Sequence, residues 1–300
     1  MAKFIIYTYQ FSPLLTLFDT VEESTAAMER KNEIFEELFT DFKSLRITQG
    51  EGSAKRTYPL EGVNNKQFIL FHIGDPKRVP LHKIVDGKFV DTSDTTSPHC
   101  MVLIDNRKDV QRIYIEKKMS AFRGKTDRIA KILQENFNVL LAEKHLRLDI
   151  GNEYREQVFW NYISMHAKEI QSIEFFIPYP NLPRVSEYVE EVLNEMQVDY
   201  NCSLNVRMNA PGNGRMSLPD QSDKRMRYFV TADARSGVPI KVKRYGERGF
   251  SECGKNVYQS MDLPDNVSQL KEDDFNSSQR EATIAYLTNL LKEDARPAAQ

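Results

Sequence analysis

Four consecutive apolar residues, Phe68-Ile69-Leu70-Phe71, constrain the fold of this chain most strongly. Side chains along a strand point alternately to its two faces, so this run needs apolar cover on both of them. It therefore predicts a central strand of a sheet. The segment GVNNK just before it contains Gly and Asn, which tolerate a positive φ, and it predicts a tight turn between strands at 55–60 and 66–73.

Amphipathic helices and further short strands fill the rest of the chain. Alternation over residues 4–9 predicts a first strand, and residues 86–99 are rich in turn formers and predict an exposed loop. Apolar residues recur at helical spacing in five segments, which predict helices over 23–43, 125–142, 153–170, 184–196 and 279–292. Other strands are expected at 145–150, 172–179 and 203–209, with a hairpin formed by 225–232 and 238–245.

These elements predict an α+β fold, with amphipathic helices packed on antiparallel or mixed sheets. We expect two subdomains, an N-terminal α+β unit over 1–144 and a C-terminal α+β unit over 145–262 that is ferredoxin-like or related. Residues 263–300 are expected to form an acidic linker and a C-terminal helix. Residues 262–300 carry eight acidic and four basic side chains, which predicts that this tail packs back on the basic sheet before it.

Composition narrows the class of protein and its compartment. The 41 basic and 43 acidic residues leave a net charge of −2, which argues against a wholly basic nucleic-acid coat but allows a local basic face. Three cysteines without paired short spacings favour a reducing cytoplasm and indicate no zinc site. No window is apolar enough for a membrane span and no cleavable leader is evident, so we expect a cytoplasmic protein without a membrane partner.

Residues 101–119, MVLIDNRKDVQRIYIEKKM, predict two strands joined by a polar turn. Asp105 closes the first strand, and Glu116 and Lys118 share one face of the second. Two neighbouring carboxylates can bind Mg²⁺, and a lysine beside them can stabilise charge on a scissile phosphate. The pattern resembles the hairpin of the PD-(D/E)xK nuclease superfamily. The resemblance implies a nuclease with Asp105 and Glu116 as metal ligands and Asp105, Glu116 and Lys118 as catalytic residues.

Two interpretations of this hairpin stay open. In a nuclease, the first helix would supply a further acid, with Glu33, Glu36 and Glu37 as candidates. Otherwise the second strand simply faces solvent, and its Glu and Lys are ordinary cross-strand partners. Mg²⁺ is the one cofactor that the sequence indicates, and only for the nuclease hypothesis.

Basic residues concentrate in two places and predict contact with nucleic acid. Between 201 and 260 there are eleven basic and five acidic residues, and the segment 117–131 is basic around a predicted helix start. A basic sheet face could follow a phosphate backbone, although a solvated face with Lys and Arg on edge strands has the same pattern. The candidate nucleic-acid-binding residues are Lys224, Arg225, Arg227, Lys241, Lys243, Arg244, Arg123 and Lys125.

The chain as a whole resembles uncharacterised bacterial proteins encoded in mobile-element and phage-defence loci. The features that carry this resemblance are the strand KFIIYTYQFSPL, the hairpin HCMVLIDNRKDVQRIYIEKKMSAF and the strand end FFIPYPNLP. The resemblance implies a cytosolic defence component that senses or handles foreign nucleic acid. A further alternative is a protein-interaction subunit without catalytic activity, which binds a partner from the same operon through its C-terminal helix.

Overall fold

The computed structural model describes residues 1–14, 21–52, 55–86, 88–108, 110–177, 202–212, 214–254, 257–270, 274 and 280–292. Within these ranges the chain forms six α-helices and several antiparallel sheets, so the expected α+β class is confirmed. The helix expected at 184–196 lies outside the described residues. No helix in the described part of the chain is both long and apolar enough to span a membrane.

The larger sheet is antiparallel throughout and contains the first strand of the chain. Its seven strands are β1 (Ala2–Pro13), β4 (Leu60–Asn64), β5 (Phe68–Gly74), β8 (His99–Asp105), β9 (Arg112–Glu116), β10 (Leu146–Asn152) and β15 (Ser260–Leu263). They lie in the order β10-β1-β9-β8-β5-β4, and β15 pairs with the first residues of β1. The long strand β1 therefore contacts segments from the start, the middle and the end of the chain.

Apolar layers cover both faces of this sheet. One face carries the helices α1 (Val21–Glu29), α2 (Lys31–Glu37) and α3 (Thr126–Ala142), and the other carries α6 (Arg280–Lys292). Ile69 and Phe71 of β5 pack in the first layer, and Phe68 and Leu70 pack in the second. The predicted central strand is confirmed, because its alternate residues enter two different clusters.

The single helix predicted over 23–43 is wrong in its length. The chain leaves the helical conformation at Arg30, between α1 and α2, and again after α2. Asn32 and Asn106 hold α2 in place, since each amide nitrogen donates to the other residue's backbone oxygen at 3.0 and 2.9 Å. After α2 the Thr40 hydroxyl donates to the Glu37 carbonyl, which favours a turn over a further helical turn.

A smaller sheet lies in the C-terminal half. Its strands are β11 (Ile170–Ile177), β12 (Leu204–Asn209), β13 (Lys241–Arg244) and β14 (Ser251–Glu252), in the order β12-β11-β13-β14. The helices α4 (Glu156–His166) and α5 (Lys224–Ala234) pack on one face, where Trp160 and Val230 meet Ile173 and Val242. Because β12 and β13 both run antiparallel to β11, the unit β12-α5-β13 is a split β-α-β arrangement.

The strand expected at 225–232 is wrong, since these residues form helix α5. Asp223 caps the helix, and its carboxylate accepts a hydrogen bond from the Met226 amide at 2.9 Å. Met226 and Val230, four residues apart, then point to the same side and enter the apolar cluster on the smaller sheet. Capping and packing thus form a helix where the sequence was expected to form the first strand of a hairpin.

Two short ribbons complete the described structure. Strands β2 (Ile47–Gln49) and β3 (Arg56–Tyr58) form one, and β6 (Lys77–Val85) and β7 (Lys88–Thr96) form the other. The loop predicted at 86–99 is therefore largely a strand, although the expected exposure is found, since every residue of β7 is exposed. We call β6 and β7 together the arm.

The larger sheet crosses the subdomain boundary that was expected between residues 144 and 145. Strand β10 follows that boundary but pairs with β1, and β15 returns to β1 from the far end of the chain. The C-terminal helix buries Leu287 and Leu291 against the larger sheet, not on the basic residues of 224–248. The C-terminal helix, through which a partner protein was expected to bind, therefore packs two of its leucines within the fold.

Candidate nucleic-acid interface

The hairpin of β8 and β9 does not bring the proposed metal ligands together. Asp105 pairs with Arg112, whereas Val102 pairs with Ile115, so Glu116 lies near the opposite end of the hairpin from Asp105. Four residues along a strand separate the two positions by about 13 Å. That separation is too large for both carboxylates to bind one Mg²⁺ ion, which needs oxygen atoms at about 2.0–2.1 Å.

Each carboxylate instead has a structural partner. Asp105 is fully buried, and its two oxygens accept hydrogen bonds from Arg107 Nε and Nη2 at 2.8 and 2.6 Å. Burial raises the pKa of Asp105, and the bonds from Arg107 oppose that rise. Glu116 accepts from the Met101 amide at 2.9 Å, and Lys118 lies beyond the end of β9. Among the described residues no group of three His, Cys, Asp or Glu could hold a metal ion. The register of the hairpin likewise gives Asp105 and Glu116 no shared metal site.

The basic residues of 224–248 do not form one face. Lys224, Arg225 and Arg227 belong to α5, which packs on the face of the smaller sheet that contains Val242. Lys241 and Lys243 alternate with Val242 and therefore lie on the opposite face.

Three of the cations in this segment are also compensated by carboxylates, and in one of these pairs Arg225 Nη2 lies 3.3 Å from Asp223 Oδ2. Lys241 Nζ lies 3.3 Å from Glu174 Oε1, and Arg244 Nε donates to Glu247 Oε1 at 2.8 Å. The predicted interface over 224–248 is thus divided between two sides of the sheet, and part of its charge is neutralised.

A different basic site, which we call the basic pocket, is assembled beside the larger sheet. It is an open cavity of about 670 Å³ with the rings of Tyr58 and Phe122 in its wall. Among the residues that the structure describes, one acidic residue, Asp75, and five cationic residues line it. Its five cationic residues are Arg56, Lys77, Arg123, Lys125 and Arg128. The pocket unites residues from β3, β6, the start of α3 and the turn before α3.

Asp75 holds the wall of the basic pocket together from inside. The Asp75 side chain is only 4% exposed. Its Oδ2 atom accepts a hydrogen bond from the Phe122 amide at 2.9 Å and lies 2.9 Å from Lys77 Nζ. Arg56 Nη1 lies 3.9 Å from Oδ1. One buried carboxylate therefore positions two cations and the turn that precedes α3, and it leaves the pocket with a net positive charge.

The turn at 122–124 is conformationally strained. Phe122, Arg123 and Gly124 have φ values of 50°, 56° and 68°, so three consecutive residues lie in the left-handed region. For residues other than glycine this conformation costs about 1–2 kcal/mol each. Hydrogen bonds from the Phe122 amide to Asp75 and from the Gly124 amide to the Ala121 carbonyl hold it. Strain of this kind concentrates at binding and catalytic sites, where it positions a side chain.

Three cations of the pocket have no acidic partner in the described part of the chain. Arg123 and Lys125 are exposed and make no ion pair there. Arg128 Nη2 donates to Tyr58 Oη at 3.1 Å, and its guanidinium carbon lies 6.0 Å from the centre of the Phe122 ring. The first turn of α3 starts at Thr126, so its backbone dipole adds partial positive charge at the same place. The pocket can therefore accept an anion without first breaking an ion pair of these three side chains.

The sequence identified only part of this site. Arg123 and Lys125 were candidates because they belong to the basic segment 117–131. Arg56, Lys77 and Asp75 gave no local signal, since each is an ordinary charged residue beside a predicted strand. They join the site only through the pairing of distant strands.

The scan against protein-family models found no match to this chain, and the search of the curated proteins found none either. No residue of the basic pocket therefore takes a role from a relative. Its chemistry rests on five cations, one buried carboxylate and two aromatic rings. Such a set suits a ligand that presents several phosphate groups.

Proposed function

We propose that the protein binds nucleic acid, and that the basic pocket contacts the phosphate backbone. The single observation that carries this proposal is the convergence of five Lys and Arg side chains from distant segments around one acidic residue. Neutralising phosphates releases condensed counterions, which supplies most of the free energy of non-specific binding to nucleic acid. Arg56, Arg123 and Arg128 can in addition bind phosphate oxygens through two nitrogen atoms at once.

The shape of the basic pocket supports a polymer ligand over a small buried anion. Its volume is in the range of ligand pockets, but it is open to solvent along one side, and Arg123 and Lys125 stand exposed at its rim. An open rim of cations can follow a chain of phosphates that enters and leaves the site. The strained turn at 122–124 fixes the backbone from which Arg123 extends.

The test is a titration of labelled duplex DNA followed by fluorescence anisotropy over a series of salt concentrations. Wild-type protein should bind at low salt and weaken steadily as salt rises. The double change Arg123→Gln with Lys125→Gln should lower affinity and should reduce the slope of log K against log salt by about two, one for each lost phosphate contact.

The matched control is Lys131→Gln with Lys144→Gln. It removes the same total charge from exposed positions outside the basic pocket, so affinity should change much less. The pocket is excluded as the interface if both double variants weaken binding equally. It is also excluded if binding depends on Lys241, Lys243 and Arg244 and is indifferent to Arg123 and Lys125.

A role in bacterial defence and a cytoplasmic location extend this proposal. The resemblance of three segments to proteins of phage-defence loci supports the first. The second is supported by the buried Cys100 and Cys253, which are both free thiols, as expected in a reducing compartment. Burial raises the pKa of the Cys100 thiol to about 12, which makes it inert. Phage plating on cells that express wild-type protein or the Arg123→Gln with Lys125→Gln variant tests the defence role, because protection should require the basic pocket.

A further inference from the structure

The arm starts in the wall of the basic pocket and extends away from it. Lys77 is both the first residue of β6 and a lining residue of the pocket, where its Nζ lies 2.9 Å from Asp75 Oδ2 and donates to the Ser120 carbonyl at 2.9 Å. Nine consecutive residue pairs connect β6 and β7, from Lys77 with Thr96 to Val85 with Lys88. The paired strands are therefore about 30 Å long.

An apolar pair lies exposed near the tip of the arm. Ile84 and Phe89 are directly opposite each other, so their side chains share one face. Their exposed fractions are 67% and 87%, and Phe89 is among the most exposed apolar side chains of the described residues. The same face carries the His82 and Asp91 pair, with Nδ1 and Oδ1 2.7 Å apart, and Arg78 near the root.

The exposure of this pair is unfavourable for an arm that has no ligand. In the described residues β6 and β7 pair only with each other, and an isolated two-stranded ribbon is marginally stable in water. A large aromatic side chain at its tip adds no packing to the fold. An exposed apolar tip on a polar ribbon is the arrangement expected of a surface that contacts a binding partner.

The position of the arm indicates which partner it contacts. A duplex whose phosphates lie against Arg123 and Lys125 passes the root of the arm, where Arg78 adds a positive charge next to Lys77 of the pocket. A two-stranded ribbon fits into a groove of DNA. Apolar side chains presented in a groove can insert between base pairs and unstack them.

We propose that the arm lies in a groove of duplex DNA and that Phe89, supported by Ile84, inserts between adjacent base pairs. This inference rests on the proposed function, because the basic pocket supplies the phosphate contacts that bring the duplex to the arm. The inference assigns different roles to the two sites. The basic pocket provides affinity for the phosphate backbone of the DNA, and the arm unstacks the bases.

The experiment measures the fluorescence of a duplex that contains 2-aminopurine, a base analogue that brightens when it unstacks. Wild-type protein should increase the fluorescence on binding. Phe89→Ser should abolish the increase and weaken binding by about 5- to 150-fold, as expected for the loss of one aromatic contact with a base. Phe89→Leu should retain part of both effects, since leucine is still an apolar wedge.

The matched control is Met165→Ser, which removes an exposed apolar side chain from α4, outside both the arm and the basic pocket. It should leave fluorescence and affinity unchanged. Because Phe89 lies outside the core, circular dichroism of all three variants should equal that of wild-type protein.

The possible failures are distinguishable. If wild-type protein binds no duplex at low salt, the proposed function itself is wrong. If Arg123→Gln with Lys125→Gln weakens binding but Phe89→Ser leaves both fluorescence and affinity intact, the pocket stands and the role of the arm is overturned. If Phe89→Ser changes only the sedimentation coefficient of the free protein, the arm contacts a second copy of this chain and not DNA. That result would also overturn the inference.

Discussion

Gly151 and Gly237 meet backbone to backbone where the two main sheets join. A Cβ atom built on Gly151 would lie 2.2 Å from Gly237 Cα, and one on Gly237 would lie 2.5 Å from Gly151 Cα. Hydrogen bonds flank the contact, from Gln10 Nε2 to the Arg235 carbonyl and from the Tyr154 amide to the Ala234 carbonyl, at 3.0 and 2.9 Å. The larger sheet and the end of α5 therefore approach as closely as two backbones can.

We expect substitution of either glycine by alanine to destabilise the fold. Gly151→Ala should lower the free energy of unfolding by about 1–3 kcal/mol, because the new methyl group must displace backbone. Gly237→Ala should cost more, since Gly237 also has a φ of +80°, which alanine adopts at an extra cost of about 1–2 kcal/mol. Urea denaturation measures both changes.

Substitutions at two other glycines distinguish backbone strain from steric overlap as the cause of this loss of stability. Gly212 has a φ of +56° and no atom within 4 Å of its built Cβ, so Gly212→Ala should show the cost of strain alone. Gly249 has neither strain nor a close neighbour, and Gly249→Ala should be nearly neutral. A Gly151→Ala variant as stable as Gly249→Ala would show that the two backbones can move apart freely.

The ion pair of Arg112 and Glu153 is the second feature whose substitution we expect to lower the free energy of unfolding. Arg112 Nε and Nη2 donate to the two carboxylate oxygens at 2.7 and 2.6 Å, and both side chains are at most 10% exposed. Glu153→Leu alone should lower the free energy of unfolding by about 3–5 kcal/mol, because it leaves a buried guanidinium without its anion. The double change with Arg112→Met should recover much of that loss.

An exposed pair provides the comparison for this prediction. Arg147 and Asp149 lie 3.2 Å apart with more than half of each side chain exposed. Arg147→Met should therefore change stability by about 1 kcal/mol or less. If Glu153→Leu costs no more than Arg147→Met, water must reach Arg112 and the pair is not buried in solution.

Asp233 should make stability fall as pH rises. Burial raises the pKa of this fully buried carboxyl to about 8, although the hydrogen bond from the Phe176 amide to Oδ1, at 3.0 Å, opposes the rise. In the unfolded chain an aspartate ionises near pH 3.9. Between about pH 4 and pH 8 the folded state keeps a proton that the unfolded state has released. Stability should therefore decrease across that window by up to about 1.4 kcal/mol for each pH unit.

Asp233→Asn tests this expectation, because asparagine keeps the oxygen that accepts from Phe176 but does not titrate. The variant should match wild-type stability near pH 4 and exceed it at pH 8 in urea denaturation. Asp262→Asn, at an exposed position of β15, should leave the pH dependence as it is in wild-type protein. Parallel pH profiles of wild type and Asp233→Asn would contradict the prediction.

The sequence pattern predicted a strand of the larger sheet correctly where the strand is buried on both faces. The run at 68–71 has no polar position, so only a strand buried on both faces satisfies it, and this strand was found. Residues 225–232 were predicted wrongly as the first strand of a hairpin, in which the clear alternation lies in the second segment, 238–245. The cap at Asp223 and the four-residue spacing of Met226 and Val230 were competing signals in the same sequence, and packing on the smaller sheet decided between them.

The candidate site was harder to predict for a different reason. Charge density along the chain identified Arg123 and Lys125, but a pocket depends on which distant segments meet. Arg56 and Lys77 reach the pocket because Asp75 draws both towards the turn at 122–124. Register also explains why the hairpin does not bring Asp105 and Glu116 together, since their spacing in sequence does not fix their separation across the hairpin.

The strained turn leads to the last prediction, in which stability and binding change in opposite directions. Arg123 has a φ of 56°, which costs an arginine about 1–2 kcal/mol and costs a glycine almost nothing. Arg123→Gly should therefore leave stability equal to or above that of wild-type protein, whereas Arg123→Ala retains the strain and should gain nothing. Both variants lack the guanidinium and should lose the same affinity for duplex DNA, with a salt slope lower by about one. Thermal unfolding and anisotropy on the same three proteins separate the two effects. A glycine variant that is less stable than the alanine variant would show that the turn is not strained, and equal DNA affinity in all three would show that Arg123 does not contact phosphate.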